Sequence, residues 1–329
     1  MSRVAVLGAG SWGTTLAIHL VNAGHEARLW GNDAADLAAL ERDRENRKFL
    51  AGIPLPAGVK VLPEIDAALE GAEFHVYVVP SQAVREVAAR VVARRAAGLP
   101  VCASKGLELG TRQRLSEVLG ESLGDAAPVV LTGPSHAEEV AAGIPTTVVA
   151  ACADGARAQQ TQALFSTPRL RVYTNDDVAG CEYGGALKNV IAIAAGVCDG
   201  LGYGDNTKGA LLTRGLAEIA RLGVALGGRR ETFFGLTGMG DLIATAMSRH
   251  SRNRHVGERL GRGEPLQEVL GAMVMVAEGV NTARAARELG RAHGVEMPIT
   301  EQVCAIALEG RRPADAMQSL MTRDLKRES

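Results

Sequence analysis

The stretch VAVLGAGSWGTTLA, residues 4–17, places a glycine-rich turn between a short apolar run and a helical pattern. The apolar run predicts a buried strand, and the pattern after the turn predicts a helix over residues 11–22. The glycines have the spacing G-x-G-x-x-G. Gly8 permits the tight turn, Gly10 lets the backbone approach a pyrophosphate, and Gly13 allows the helix to pack closely on the strand. The start of such a helix also offers aligned N–H donors to an anion. In this strand–turn–helix context the pattern favours a dinucleotide site over a glycine-rich turn without a ligand.

Strand and helix patterns alternate as far as residue 177. Strands are predicted at residues 4–7, 27–30, 59–62, 76–79, 101–104, 129–131, 146–150 and 170–173, and helices lie between several of them, notably at 81–97 and 112–123. Such alternation is typical of a mainly parallel sheet with helices on both faces. Residues 1–177 are therefore predicted to form a doubly wound, Rossmann-type α/β domain that binds the dinucleotide.

The pattern becomes helical after residue 177. Helices are predicted at residues 178–198, 208–226, 253–261, 281–293 and 299–309, with glycine-rich joints at 200–204, 227–228 and 235–240. No convincing strand pattern occurs in this half of the sequence. Residues 178–329 are therefore predicted to form an all-helical domain, and ligand sites favour the junction between two such domains.

One of these predicted helices carries a lysine among apolar residues. The segment EYGGALKNVIAIAAGV, residues 182–197, is apolar on almost every side, which is typical of a buried helix, yet Lys188 and Asn189 lie in its middle. Burial of an ammonium group costs several kcal/mol unless the group is paired or its pKa falls. Lys188 therefore either has a function in the interior or extends along its stem to solvent.

Composition argues against several classes of protein. The 329 residues suggest about two domains. The formal net charge of −1 and an aromatic content of 3% do not fit a nucleic-acid-binding surface. No apolar run approaches the ~18 residues of a membrane span, and the first residues lack the pattern of a signal peptide. Five scattered cysteines without C-x-x-C, and seven histidines without metal-ligand spacing, predict no disulfide framework and no metal site. These observations predict a cytoplasmic protein.

Polar residues follow three of the predicted strands. Ser81 stands where a helix N-cap is expected, Lys105 follows the next strand, and GPSH, residues 133–136, follows a third. The carboxyl ends of the strands in an open α/β sheet form a ligand crevice. Lys105 is thus either placed to meet an anionic ligand or is a solvated loop lysine. Residues 133–136 offer backbone N–H groups and a hydroxyl to the same crevice.

Two further polar segments lie in the helical half. Asp241 stands in the apolar segment LTGMGDLIATA, either as a site carboxylate or as a helix N-cap. Ten residues further on, Ser251 can cap a helix that begins with Arg252 and Asn253. A capped helix start with a guanidinium and an amide makes an anion site of the size of a phosphate. The competing interpretation, a basic patch for nucleic acid, conflicts with the composition.

These motifs, in this order, resemble the bacterial NAD(P)-dependent glycerol-3-phosphate dehydrogenase family. The resemblance runs from Val4 almost to the C-terminus and rests on GAGSWGTTLA (8–17), VPSQAVREV (79–87), SKGLE (104–108), GPSHAEEVAAG (133–143), GGALKNVIAIAAG (184–196), GDLIATAMSRHSRNRHVGE (240–258) and AEGV (277–280). It implies a cytoplasmic homodimer without membrane insertion. The implied reaction interconverts dihydroxyacetone phosphate and sn-glycerol 3-phosphate with NADH or NADPH and supplies glycerol 3-phosphate for glycerophospholipid synthesis.

The resemblance also implies the roles of individual residues. Lys188 is the implied catalytic acid/base, with a pKa lowered by burial near Lys105 and the nicotinamide. Implied contacts of the substrate and its phosphate are Lys105, Gly133, Ser135, Lys188, Asp241, Ser251, Arg252 and Asn253, with Asn189 and Thr245 as additional site residues. Implied cofactor contacts are Gly8, Gly10, Ser11, Trp12, Gly13, Asn32, Phe49, Lys105, Ala137, Arg252, Val276 and Glu278.

Three positions depart from the usual pattern of the family. His136 stands where phenylalanine is usual, Asn32 where many members have arginine, and Asn281 where a basic residue is frequent. The 2′-phosphate of NADP(H) needs a cation near the end of the second strand. Without that arginine, both cofactors are expected to work, with NADPH favoured less than in members that carry it. Arg47 and Lys48 could substitute for the missing cation.

Two alternatives are also compatible with the sequence. A related two-domain dehydrogenase could act on another small phosphorylated or carboxylated hydroxy compound. It would share the glycine turn and an interdomain lysine, but it would not need the Ser-Arg-Asn segment. A dinucleotide-sensing regulatory protein could have lost turnover, although the joint presence of Lys188, Lys105 and Asp241 argues against it.

Overall fold

A single eight-stranded sheet forms the core of the first half of the chain. The computed structural model describes residues 1–124, 127–325 and 327. The strands are β1 (Arg3–Leu7), β2 (Glu26–Trp30), β3 (Val59–Leu62), β4 (Phe74–Tyr77), β5 (Leu99–Cys102), β6 (Val129–Thr132), β7 (Thr146–Ala151) and β8 (Leu170–Asn175). Their order is β3-β2-β1-β4-β5-β6-β7-β8, and neighbours are parallel except β6 and β7, which are antiparallel. The predicted mainly parallel sheet is confirmed.

Helices cover both faces of this sheet. They are α1 (Ser11–Asn22), α2 (Ala34–Asp43), α3 (Ile65–Leu69), α4 (Val84–Ala93), α5 (Leu115–Leu123), α6 (Ala137–Ala141) and α7 (Gly155–Phe165). One apolar cluster joins α1, α2 and α7 to one face, and another joins α3, α4 and α5 to the other. Because both faces are buried, β1 and β4 are mostly apolar rather than alternating, and His75 is the buried exception in β4. The doubly wound, Rossmann-type class predicted from the glycine turn is confirmed.

The second half of the described chain is helical. It contains α8 (Val178–Gly200), α9 (Asp205–Ala225), α10 (Arg230–Phe233), a π-helical turn (Leu236–Gly240), α11 (Asp241–Met247), α12 (Arg252–Gly261), α13 (Leu266–Gly271), α14 (Glu278–Ala292), α15 (Pro298–Glu309) and α16 (Pro313–Met321). The central helix α8 is buried over most of its length and packs against α9, α11, α12 and α14. Within the described residues, no helix combines the length and the apolar character that crossing a membrane requires.

Helices α8 and α12 meet backbone to backbone. A Cβ on Gly196 of α8 would overlap the carbonyl oxygen of Arg254, and a Cβ on Gly257 of α12 would overlap that of Ile193. Gly200 and Gly261, one turn further along each helix, are also too close to the opposite backbone for a Cβ, which would lie 2.3 and 2.6 Å from the nearest carbonyl oxygen. The absence of side chains at these positions therefore fixes the distance between the two helices.

Several local predictions are wrong. The strand predicted at 76–79 lies at Phe74–Tyr77 instead. Its neighbour β1 ends at Leu7, and the carbonyl of Leu7 accepts from the N–H of Val78, so β4 has no partner in β1 beyond that point. The strand predicted at 101–104 is likewise Leu99–Cys102. The glycine-rich joint predicted at 235–240 is a π-helical turn instead. Its glycines let it pack against α8, since a Cβ on Gly184 would lie 2.7 Å from the carbonyl oxygen of Thr237.

Candidate active site

A cavity of about 570 Å³ lies at the carboxyl ends of β1, β2, β4 and β5 and is bounded on its other side by α8, α11 and α12. This volume is within the usual range for small-molecule sites. The predicted site residues that line it are Gly8, Gly10, Ser11, Trp12, Asn32, Phe49, Lys105, Ser135, Ala137, Lys188, Asn189, Asp241, Thr245, Ser251, Arg252, Asn253, Val276 and Glu278. Gly13 and Gly133 do not line the cavity. The first packs beneath the turn, and the carbonyl of the second accepts a hydrogen bond from Lys105.

The glycine turn has the geometry that a dinucleotide needs. Gly8 has φ +134°, and a Cβ there would lie 2.6 Å from the carbonyl oxygen of Val78. Gly10 faces open space, so its backbone is accessible to a ligand. Gly10 also precedes α1, and it brings no side chain to cap the first N–H groups of that helix. These N–H groups are thus available to a pyrophosphate, and the turn fits the cofactor predicted from the sequence.

Lys188 lies in the middle of α8 and does not reach solvent, since the residue is only 5% exposed. Its Nζ donates to Oδ1 of Asp241 at 2.9 Å and to Oγ1 of Thr245 at 2.5 Å. An ammonium group has three N–H donors, so one of them is left for a ligand in the cavity. The alternative that this lysine extends to solvent is therefore wrong.

Asp241 joins Lys188 to a second lysine. Nζ of Lys105 donates to Oδ2 of Asp241 at 2.8 Å and to the carbonyl oxygen of Gly133 at 2.7 Å, and it lies 3.4 Å from Oγ of Ser135. Lys105 is therefore part of the site and not a solvated loop lysine. Asp241 opens α11 without capping it, so the N-cap alternative for this residue is also wrong. One carboxylate, contributed by the helical half, binds a lysine from each half of the chain.

Burial controls the protonation of this lysine–aspartate–lysine cluster. Desolvation lowers the pKa of Lys188 to about 8. The charge of Asp241 opposes this shift, and the charges of Lys105 and Arg252 add to it. Burial alone would raise the pKa of Asp241, but the two lysines hold it below its usual value. Lys188 can thus hold a proton at neutral pH and release it slightly above, which is the behaviour expected of a general acid/base.

The start of α12 forms an anion site at the same cavity. Oγ of Ser251 accepts from the N–H of Arg254 at 3.2 Å, which confirms the predicted helix cap. The first-turn N–H groups of Arg252 and Asn253 have no acceptor within the helix. The Arg252 guanidinium donates to the carbonyl oxygen of Val276 at 3.0 Å, and both residues line the cavity. The segment can therefore bind a phosphate with backbone donors and one guanidinium.

The carboxamide of Asn253 ties three helices together. Its Nδ2 donates to Oδ1 of Asn189 on α8 at 2.9 Å, and its Oδ1 accepts from the N–H of Gly279 on α14 at 2.9 Å. The residue is 8% exposed, so these bonds satisfy a buried amide. Asn253 therefore has a packing role that the sequence pattern did not indicate, and Asn189 contributes to it.

Ser81 does not cap the helix that follows it, contrary to the prediction. Its Oγ donates to Oε2 of Glu278 at 2.6 Å, and its N–H donates to Oε1 of the same carboxylate at 2.9 Å. Glu278 begins α14, whereas Ser81 follows β4, so this pair links the two halves of the chain across the cavity. Gly106 comes close to both, since a Cβ there would lie 2.8 Å from Cβ of Ser81 and 3.4 Å from Oε2 of Glu278.

His136, one of the departures from the family pattern, lies at the edge of the cavity. Its Nε2 is 3.2 Å from the carbonyl oxygen of Ala244, and its ring centroid is 6.2 Å from that of His250. Burial lowers its pKa, and Lys188 and Lys105 lower it further. The residue therefore adds a neutral aromatic ring at this position.

The outer end of the cavity lies beyond β2 at Asn32. Oδ1 of Asn32 accepts from Nη1 of Arg90 at 2.9 Å. Asp33 caps α2 with Oδ1, which accepts from two first-turn N–H groups at 2.9 Å each. Sequence reasoning missed Arg90, because it lies on α4, 58 residues from Asn32, and no motif marks it.

The cations that the sequence offered for this end of the cavity both form ion pairs. Nζ of Lys48 lies 2.6 Å from Oδ2 of Asp36, and Arg47 forms ion pairs with Asp43 and Glu45. Lys48 also lies 5.0 Å from the ring centroid of Phe49. Among the described residues, no group of histidine, cysteine, aspartate or glutamate is arranged to hold a metal ion.

Comparison with known proteins gives consistent matches over both halves of the chain. Residues 3–158 match the family model for the N-terminus of NAD-dependent glycerol-3-phosphate dehydrogenase, and residues 177–318 match the model for its C-terminus. The chain is 49% identical over 330 residues to a glycerol-3-phosphate dehydrogenase [NAD(P)+] of Pelodictyon phaeoclathratiforme, with 99% of each chain covered. It is 51% identical over 330 residues to the Desulfitobacterium hafniense protein of the same name, covering 100% of this chain and 93% of that one.

A solved structure matches the fold over nearly its whole length. The crystal structure of glycerol-3-phosphate dehydrogenase from Coxiella burnetii superposes with a TM-score of 0.94 at 39% sequence identity, and the match covers 98% of this chain and 99% of that one. The similarity therefore includes both the sheet and the helices that close the cavity.

Proposed function

The chain belongs to the NAD-dependent glycerol-3-phosphate dehydrogenase family, and we propose that it interconverts dihydroxyacetone phosphate and sn-glycerol 3-phosphate with NADH or NADPH. One observation carries this proposal. A lysine with a lowered pKa, a helix start suited to a phosphate and a dinucleotide-binding turn share one cavity. Each of the three parts of the reaction thus has a matching group in the cavity: the proton, the phosphate and the cofactor.

Lys188 is the proposed proton donor to the ketone oxygen. A bound nicotinamide supplies the hydride, which the protein cannot supply itself. As hydride reaches the carbonyl carbon, the oxygen gains negative charge, and the free N–H of the Lys188 ammonium donates a proton to it. In the reverse direction the neutral amine of Lys188 accepts the proton of the hydroxyl. A pKa of about 8 allows both forms near neutral pH.

Asp241 and Lys105 adjust this proton transfer. Asp241 accepts from Nζ of Lys188 and so fixes its position in the cavity. Lys105 adds positive charge next to the oxygen that becomes an alkoxide, and such charge stabilises the transition state most in a water-poor site. Lys105 and Ser135 are also the proposed contacts of the remaining substrate hydroxyl, with Gly133 fixing the position of Lys105.

The phosphate of the substrate is proposed to bind at the start of α12. Ser251 caps the helix, the N–H groups of Arg252 and Asn253 point from its first turn, and the guanidinium of Arg252 pairs with the dianion. This arrangement favours the proposed substrate over an unphosphorylated or carboxylated hydroxy compound. The cofactor is proposed to bind along Gly8, Gly10, Ser11 and Trp12, with further contacts from Asn32, Phe49, Ala137, Val276 and Glu278, all of which line the cavity.

The proposal extends to the organisation and the role of the protein. A division into domains at residues 177 and 178 is supported by the change from β8 to the long helix α8 at this point. From the family we further propose a homodimer in the cytoplasm, whose reaction supplies glycerol 3-phosphate for glycerophospholipid synthesis.

A direct absorbance assay, which follows the loss of NADH or NADPH, tests the reaction. We expect the purified protein to oxidise NADH and NADPH with dihydroxyacetone phosphate and to form sn-glycerol 3-phosphate, and we expect much slower oxidation with unphosphorylated dihydroxyacetone. Equal rates with the two ketones would contradict the assigned phosphate site. Oxidation with neither ketone would contradict the proposed reaction.

A further inference from the structure

Arg90 is not among the residues that line the cavity, but its guanidinium contacts two residues that are, Asn32 and Trp30. In this fold the group that recognises the ribose 2′-position lies just after the second strand, about 20 residues beyond the glycine turn. Asn32 occupies that position and lines the cavity, and Nη1 of Arg90 donates to it at 2.9 Å. The guanidinium carbon of Arg90 also lies 5.7 Å from the ring centroid of Trp30, the last residue of β2. A hydrogen bond and a cation–π contact thus hold the guanidinium at this end of the cavity.

A carboxylate already competes for this guanidinium. Oε1 of Glu86, one helical turn earlier on α4, accepts from Nη2 of Arg90 at 2.6 Å, and Glu86 lines the same cavity. The side chain of Glu86 is 66% exposed, so it can turn away at little cost when a stronger anion arrives. Hydrogen bonds to described residues use two of the five N–H donors of Arg90, and a phosphate can accept from the others.

We propose that Arg90 binds the 2′-phosphate of NADP(H), that Asn32 holds its guanidinium in place, and that Glu86 limits the preference for NADPH by competing for the same guanidinium. This inference rests on the proposed function, since it assumes that NADP(H) binds in the cavity. Among the other charged groups at this end, Asp33 caps α2, and Lys48, like Arg90, pairs with a partly exposed carboxylate, Asp36. Arg90 differs from Lys48 because it is bonded to Asn32, the residue at the ribose position. The cation that is missing after β2 is therefore supplied by a helix distant in sequence.

Isothermal titration of the purified protein with NADPH and with NADH tests this assignment. Arg90→Gln should weaken NADPH binding by roughly tenfold, the scale of one charge-assisted phosphate contact, while the Kd for NADH stays within about twofold. Glu86→Gln should tighten NADPH binding by about threefold, the scale of an exposed ion pair, and leave NADH unchanged. Opposite effects of the two variants on one cofactor cannot arise from a general loss of folding.

Arg94→Gln provides the matched control. Arg94 lies one helical turn after Arg90, directly after the end of α4, and it pairs with Asp66, which does not line the cavity. This variant should leave both dissociation constants unchanged. Equal loss of NADPH and NADH binding in Arg90→Gln, or an unchanged ratio, would overturn the assignment. The proposed reaction is judged separately by turnover of dihydroxyacetone phosphate with NADH, which has no 2′-phosphate.

Discussion

The cavity has a cluster of paired charges at each end, and the two clusters differ in their contact with water. At the inner end Asp241 binds Lys105 and Lys188 at 2.8 and 2.9 Å, and its side chain is 2% exposed. At the outer end Glu86 binds Arg90 at 2.6 Å, but these side chains are 66% and 36% exposed. The distances between the charged atoms are similar, so distance alone does not distinguish the two clusters.

Burial gives the inner cluster a chemical property that the outer one lacks. Desolvation brings the pKa of Lys188 down to about 8, because water no longer stabilises its charge. In the exposed cluster, water and salt screen the charges, and an ion pair of this kind contributes about 0–1 kcal/mol. The inner cluster is therefore suited to proton transfer, whereas the outer one is suited to modest discrimination between two cofactors.

The largest effect is expected from removal of the buried amine. Lys188→Met should lower kcat for ketone reduction by at least ~10²-fold, the usual contribution of general acid–base catalysis. Cofactor binding, measured by titration, should persist. Lys208→Met is the control, because Lys208 is a largely buried lysine of α9 whose partner, Asp199, is not among the residues that line the cavity. Near-normal turnover in a folded Lys188→Met protein would contradict the assignment.

The next effect concerns the proposed phosphate site at the start of α12. Arg252→Ala should lose about 2–4 kcal/mol of transition-state binding in kcat/KM, because it removes a charge-assisted contact to the phosphate. Activity on unphosphorylated dihydroxyacetone should fall much less. Arg254→Ala, two residues further on, removes a guanidinium that pairs with Asp199 instead and should have little effect on either substrate. Equal losses on both ketones would indicate a role for Arg252 in cofactor binding or folding.

The pH dependence of reduction tests whether burial sets the pKa of the inner cluster. Reduction needs the Lys188 ammonium, so its rate should fall as the pH rises above about 8, whereas oxidation, which needs the neutral amine, should rise over the same interval. Asp241→Asn removes the anion that raises the pKa of Lys188. The fall in the reduction rate should then begin at lower pH, by about one unit.

The measurement for this variant is kcat/KM for the ketone at saturating NADH. A range of about pH 6 to pH 10 covers the titration of Lys188 on both sides of its pKa. Asp199→Asn is the control, since it removes a carboxylate that pairs with Lys208 and Arg254 without contacting Lys188. An active Asp241→Asn protein with an unchanged profile would show that this carboxylate does not set the proton affinity of Lys188.

The smallest effect is expected at the exposed end. Asn32→Arg adds a second guanidinium near the ribose but also removes the acceptor that holds Arg90. Because these effects oppose each other, the ratio of kcat/KM for NADPH to that for NADH should rise by at most about tenfold, or ~1.4 kcal/mol. High salt should reduce this gain because the site is exposed. The wild-type protein should use both cofactors. An unchanged ratio in the variant would indicate that the new guanidinium gains no more than the loss of the bond between Asn32 and Arg90 costs.

The sequence predicted the class of fold because its strongest signals are local. The glycine turn and the apolar runs define β1, α1 and most of the sheet, and the observed α1 has the predicted bounds Ser11–Asn22. Helices α2 and α7 were not predicted, although Asp33 and Asp154 cap them and could have marked their starts. The π-helical turn could not be predicted, because a run of glycines in a sequence indicates a loop. Its helical conformation accompanies packing against α8, which the local sequence does not show.

The candidate site was predictable where one residue type in one motif carries the chemistry. Lys188, Asp241 and Ser251 lie in such motifs, and the structure brings all three to the cavity. Contacts between distant segments were not predictable. The bond from Ser81 to Glu278 spans 197 residues, and that from Asn253 to Asn189 spans 64. A polar side chain in a motif does not show whether it will meet a ligand or another part of the chain.

Backbone contact between α8 and α12 sets the distance between the two proposed contacts of the substrate, Lys188 and the first turn of α12. Gly196 and Gly257 let the two main chains touch, so the spacing between Lys188 and the first turn of α12 is set by backbone contact, to which the bond between Asn253 and Asn189 adds. The proposed substrate spans that spacing with its carbonyl at one end and its phosphate at the other, so under this assignment the fold sets the number of carbon atoms between them. Mutant libraries confined to the cavity lining should therefore change affinity and cofactor choice, whereas activity on longer ketose phosphates would require a displacement of α12 itself.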